Sequence, residues 1–146
     1  MNQLKIIKEH FDKKGIDNKV VKLPNGETQL NFVYEYDSIP WHIKIREIEG
    51  SHGVVSIYKV VYHIHREAKR EVCKILNRLN GWGGKYLYVS FSCHDVEDAT
   101  LVVGSYSLPV LKKSYLESFD LALDCFMADI VDAAQNDLIE LTIFET

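Results

Sequence analysis

Between residues 20 and 46 the chain keeps a period of two, broken only at short turn-forming stretches. Leu30, Phe32, Tyr34 and Tyr36 fall on one side, with Gln29, Asn31 and Glu35 on the other. After Asp37-Ser38, the residues Trp41, Ile43 and Ile45 alternate with His42, Lys44 and Arg46. Successive side chains of a strand point to opposite faces, so each run has one apolar face and one wet face. That pattern belongs to antiparallel sheets. Val20–Leu23 forms a short strand before it, and Pro24-Asn25-Gly26-Glu27 supplies the turn. Asn-Gly between apolar runs is a strong hairpin signal, because both residues tolerate positive φ. Glu49–Gly53 predicts another turn, and Val54 to about Tyr62 a strand apolar enough to be central.

Elsewhere the period is helical. Leu4, Ile7 and Phe11 form one stripe over residues 3–14, which Lys13-Lys14-Gly15 ends. Ala68, Val72, Ile75, Leu76 and Leu79 form a second stripe over residues 66–80, stopped by Gly81-Trp82-Gly83-Gly84. Lys85 to Cys93 and Thr100 to Leu108 are predicted strands, joined by a turn over His94–Asp98. Ser114 to about Gln135 is a long helix carrying Leu116, Phe119, Leu123, Phe126 and Ile130. Leu138–Phe144 is apolar at alternate places and fits either a short strand or a helical extension. The order α-β-β-β(-β)-α-β-β-α lacks strict β-α-β alternation. The expected class is therefore α+β, an antiparallel sheet with helices packed on it.

At 146 residues the chain has the length of one α+β domain, and 47% hydrophobic with 26% charged residues is an ordinary globular mixture. A net charge of −4 excludes a strongly basic nucleic-acid binder. The longest apolar stretch, Leu121–Ile130, is interrupted by Asp124 and Asp129, so no membrane partner is expected. The first residues carry charges at helical spacing, unlike a signal peptide. Cys73, Cys93 and Cys125 are an odd number without Cys-x-x-Cys spacing. These features imply reduced thiols and a cytoplasmic location.

Charge is unevenly placed. Residues 1–113 hold all seventeen Lys and Arg against thirteen acids, whereas residues 114–146 hold eight acids and no Lys or Arg. Glu117, Asp120 and Asp124 share a face of the last helix by their 3-4 spacing. Arg66, Arg70, Lys74 and Arg78 recur every fourth residue along the middle helix, partly neutralised by Glu67 and Glu71. Two readings stand: solvated faces, where exposed ion pairs contribute ~0–1 kcal/mol each, or an acidic helix that meets a basic partner. That partner is a client protein or the ridge of a second copy, and complementary charge sets encounter rate and register.

Candidate chemistry is sparse. His63 and His65 share a strand face, but a zinc site needs three or four ligands and no third stands nearby, so no metal or cofactor is expected. In Cys93-His94-Asp95 neighbouring side chains point to opposite faces, and Cys93 reads as a small core residue, as do Cys73 and Cys125. Gly81–Gly84 follows a helix and precedes a strand, the reverse of a phosphate-binding loop. Asp124, between Leu123 and Cys125, is the acid expected to border a buried interface.

Ile75-Leu76-Asn77-Arg78-Leu79-Asn80 closes the middle helix, and two predicted strands follow, the second ending in Ser107-Leu108-Pro109. This wording resembles the YbjN family of bacterial proteins, described as sensory-transduction regulators with a fold like the type III secretion chaperones. The chain departs from that pattern in its early hairpin, Val20–Tyr36, and in the glycine-rich segment after Asn80. The resemblance implies a non-catalytic, dimeric domain that binds protein, as a chaperone-like or adaptor module, and carries over no catalytic residue. The expected partner is a protein client or a second copy. Tyr34, Tyr36 and Trp41 on the sheet, with Glu117, Asp120 and Asp124 on the last helix, are the expected contact residues. Two alternatives remain: a small-ligand binder or enzyme with a pocket near His42, His63 or Cys93, and an immunity-type inhibitor of one folded partner.

Overall fold

The structure is a computed structural model that describes residues 3–50, 52–81, 84–110 and 112–146. It is α+β, with helices against a six-stranded antiparallel sheet. The strands are β1 (Asn18–Lys22), β2 (Thr28–Tyr36), β3 (Ile39–Glu47), β4 (Val54–Ile64), β5 (Ser90–Asp95) and β6 (Thr100–Pro109), in sheet order β1-β2-β3-β4-β6-β5. The α-helices are α1 (Gln3–Lys14), α2 (Lys69–Asn80) and α3 (Leu116–Asp132). The chain divides into two compact units, residues 1–58 with 107–123 and residues 59–106 with 124–146.

In the first unit the period-two runs pair as expected. Leu30 faces Ile45, Phe32 faces Ile43 and Tyr34 faces Trp41 across β2 and β3. Asp37 and Ser38 make the two-residue turn, with φ of 51° and 64°. Positive φ at both central residues lets the turn follow the right-handed twist of its strands. Helix α1 packs on β1, β2 and β3. It ends in a Schellman cap: Gly15 has φ +72°, and Ile16 N–H donates to the Phe11 carbonyl at 3.0 Å. At its start the Leu4 N–H donates to Glu47 Oε1 at 3.2 Å, a carboxylate against the positive helix end. Phe11, fully buried, has its ring centroid 4.6 Å from that of Phe32 and 5.9 Å from that of Phe119.

In the second unit α2 packs against β5. Asn80, the last residue of α2, reaches the β5 backbone with both ends of its carboxamide. Phe91 N–H donates to Asn80 Oδ1 at 2.8 Å, and Asn80 Nδ2 donates to the Phe91 carbonyl at 2.5 Å. Opposite Phe91 in β6 stands Gly104. After α3 the chain makes a π-helical turn (Ala133–Asp137) and a 3-10 helix (Ile139–Phe144).

The second unit departs from the sequence pattern in one place and resolves an alternative in another. The strand predicted from Lys85 begins only at Ser90. Residues 85–89 are held from the side instead: Tyr88 N–H donates to Asp129 Oδ2 at 2.9 Å, and the Tyr86 hydroxyl donates to Asp137. A backbone donor spent on a side chain is lost to a strand ladder. Of the two forms expected for the C-terminal segment it takes the helical one, burying Leu138 and Leu141 three residues apart. The predicted stop at Gly81–Gly84 includes Trp82 and Gly83, which lie outside the described residues.

Candidate functional site

The second unit carries a groove of about 640 Å³ between α2 and the C-terminal 3-10 helix. Just before and along α2, Ala68, Val72 and Leu76 turn inward. The same periodicity leaves Arg66, Arg70, Lys74 and Arg78 exposed. The other wall is pinned beside β4, where His65 N–H donates to the Phe144 carbonyl and Thr146 N–H to the His63 carbonyl, each at 3.0 Å. Burial of Leu138 and Leu141 in that segment forces Ile139 and Ile143 outward, the latter 78% exposed. Ile75, Ile143 and Phe144 give the groove apolar surface, while Lys74, Arg78, Glu71 and Glu140 rim it. Lys74 Nζ lies 3.7 Å from Glu71 Oε1, a loose surface pair that holds neither charge in place. Such a surface can take an extended or helical segment that combines aliphatic and acidic side chains.

Tyr34, Tyr36 and Trp41 are half-buried at the far end of the β2–β3 hairpin, beside the exposed Ile39 that pairs with Tyr36. The three acids on α3 part company. Asp120 turns to α1, where its carboxylate oxygens lie 2.8 and 3.0 Å from His10 Nε2 and 2.8 Å from Lys14 Nζ. Glu117 and Asp124 are exposed, with Leu121, 63% exposed, on the same stripe between them. Asp124 is thus solvent-exposed in the single chain.

Of the residues weighed for chemistry, His42, His63 and His65 are exposed. Among the described residues no three His, Cys, Asp or Glu side chains are grouped to hold a metal. His94 Nε2 lies 2.8 Å from Ser92 Oγ. Asp95 accepts from Lys69 Nζ at 3.0 Å and from Thr100 Oγ1 at 2.9 Å. Cys93 is half-buried against the thiol of Cys73 on α2, and not the core residue expected. In the first unit a hollow of about 580 Å³ beside the β1–β2 and β3–β4 turns is lined by Glu27, Glu47 and Glu49. Glu27 is engaged by Arg46, and Glu47 by the start of α1.

The titrating groups of the second unit set its response to acid. Hydrogen bonds from Tyr86 and Lys85 hold the Asp137 carboxyl below its ordinary value, and those from Lys69 and Thr100 do the same for Asp95. A carboxyl whose folded pKa is depressed stabilises the fold above its unfolded pKa, and that contribution is lost as pH falls through the folded value. Unfolding of the chain in urea should become easier below about pH 4. Asp137→Asn should flatten that acid limb; an unchanged limb would show that these contacts are not maintained in solution. At the alkaline end the sign reverses. Burial, then the bond to Asp137, pushes the Tyr86 phenol up, so its contribution fades as pH rises beyond the ordinary tyrosine range.

No protein-family model matches the chain, and no curated protein matches it significantly.

Proposed function

We propose that this chain is a non-catalytic protein-binding domain whose working surface is the groove on α2. The observation that carries the proposal is the apolar wall formed by the exposed Ile143 and the half-buried Ile75 beside Lys74 and Arg78. Contiguous apolar surface rimmed by charge marks interaction sites on folded proteins. The segment that fits it pairs acids with an aliphatic side chain. The exposed stripe Glu117, Leu121, Asp124 on α3 has that composition, so the first partner is a second copy of the chain. Two copies related by a two-fold axis would each offer a groove and a helix, which closes the assembly at a dimer. The resemblance to the YbjN family implies the same kind of activity, a dimeric adaptor or chaperone-like module.

Light scattering on the purified chain tests this. The expected result is the mass of two chains at about 0.05 M salt, moving toward one at about 0.5 M as charge attraction is screened. Ile143→Asp should give the monomer mass at both salt levels with little effect on folding, since exposed positions away from special features tolerate substitution within about 0.5 kcal/mol. A concentrated wild-type sample that stays monomeric at low salt removes the second-copy assignment. An Ile143→Asp dimer as strong as wild type removes the groove.

A further inference from the structure

The groove uses the outer side of α2; its inner side carries a different feature, independent of what the groove binds. Helix α2 meets β5 at three points. Lys69 Nζ lies 3.0 Å from Asp95 Oδ2, and Asn80 grips the Phe91 backbone. Between these two contacts Cys73 on α2 and Cys93 on β5 stand as neighbours, each half-buried. Residues 91, 93 and 95 point to one face of β5, and residues 80, 73 and 69 meet them in reverse order along the helix. The contacts on either side fix the separation of the two elements at the thiols. Both cysteines are only half-buried, so a small reagent can reach them. The Lys69 ammonium acts electrostatically on both sulfurs.

We infer that Cys73 and Cys93 form a reversible redox site, a dithiol that exchanges with small-molecule disulfides to give an internal disulfide tying α2 to β5. The step balances. The Cys73 thiolate attacks a small disulfide, forms a mixed disulfide and releases one small thiol. Cys93 then attacks the Cys73 sulfur and releases the second. The two cysteines lose two electrons and two protons, and the small disulfide is reduced to two thiols. The order follows from the surroundings. Burial first, then the neighbouring Cys73, raises the Cys93 thiol above its ordinary value, which disfavours Cys93 as the first attacker. Conversion of Cys73 to the mixed disulfide removes that partner, and the Lys69 ammonium then works against the burial that still raises the Cys93 thiol.

The test is equilibration of the full chain with excess oxidised glutathione, followed by blocking of remaining thiols and peptide mass spectrometry. The expected result is loss of two of the three free thiols, a chain lighter by two hydrogens, and a peptide containing Cys73 joined to one containing Cys93, all reversed by dithiothreitol. Cys93→Ser should instead hold glutathione on Cys73 as a persistent adduct. Cys125→Ser should still form the internal bond. Retention of all three thiols while the urea-unfolded chain is oxidised would overturn the inference. So would a bond to Cys125, or a stable glutathione adduct on wild-type Cys73 with no internal bond.

Discussion

Phe11→Ala is expected to lower the free energy of unfolding by about 3–5 kcal/mol. The ring is fully buried and stands against both Phe32 of β2 and Phe119 of α3. Truncation therefore removes the transfer free energy of a whole aromatic side chain and opens a cavity between three elements. Since native domains are stable by about 5–15 kcal/mol, the variant should lose a third or more of its margin. Urea denaturation followed by circular dichroism reads this directly. A loss under about 1 kcal/mol would mean that α1 does not dock on the sheet through this residue.

The second large effect comes from adding atoms. At Gly104 a β-carbon would sit 2.5 Å from Ile130 Cδ1, 2.9 Å from Val89 Cγ2 and 3.2 Å from Phe91 Cε1. The Ile130 methyl is the flexible end of its side chain, but Ile130 is buried at 1% exposure and has little room to turn. Val89 is stiff at χ1. Gly104→Ala should therefore cost about 1–3 kcal/mol, and Gly104→Val more, although valine ordinarily favours strands. Gly104→Ala combined with Ile130→Val should recover part of the loss, because the shortened side chain vacates the place the new methyl takes. Urea denaturation of the two single variants and the double variant measures this. A double variant no more stable than Gly104→Ala alone would place the strain elsewhere.

Much of the first unit is legible in the sequence. Leu30 to Tyr36 and Trp41 to Ile45 declare a half-buried hairpin by alternation alone, and Asn25-Gly26 and Asp37-Ser38 mark its turns. Gly15 reads as a helix stop because a left-handed residue is needed there. The second unit is harder for a physical reason. Lys85 to Val89 has the composition of a strand, yet its backbone and Tyr86 are claimed by Asp129 and Asp137, far along the chain. Leu138 to Phe144 looks alternating, but its burial follows a spacing of three. The groove is half visible: the cationic row on α2 follows from spacing, whereas its apolar wall depends on the tail folding back beside β4. The thiol pair is hidden because local strand logic compares Cys93 with His94, while the side chain it meets lies on a preceding helix. Asp120 shows the same limit, since its spacing matches Glu117 and Asp124 but His10 and Lys14 take it.

The grip of Asn80 on Phe91 has a consequence for the margin of the sheet. A sheet margin recruits strangers by offering free amide and carbonyl groups to an incoming backbone. On β5 a carboxamide already fills that place at Phe91, imitating the peptide group of an intruder. At the opposite margin, β1, the exposed Lys19 and Lys22 set like charge against a second copy approaching in register.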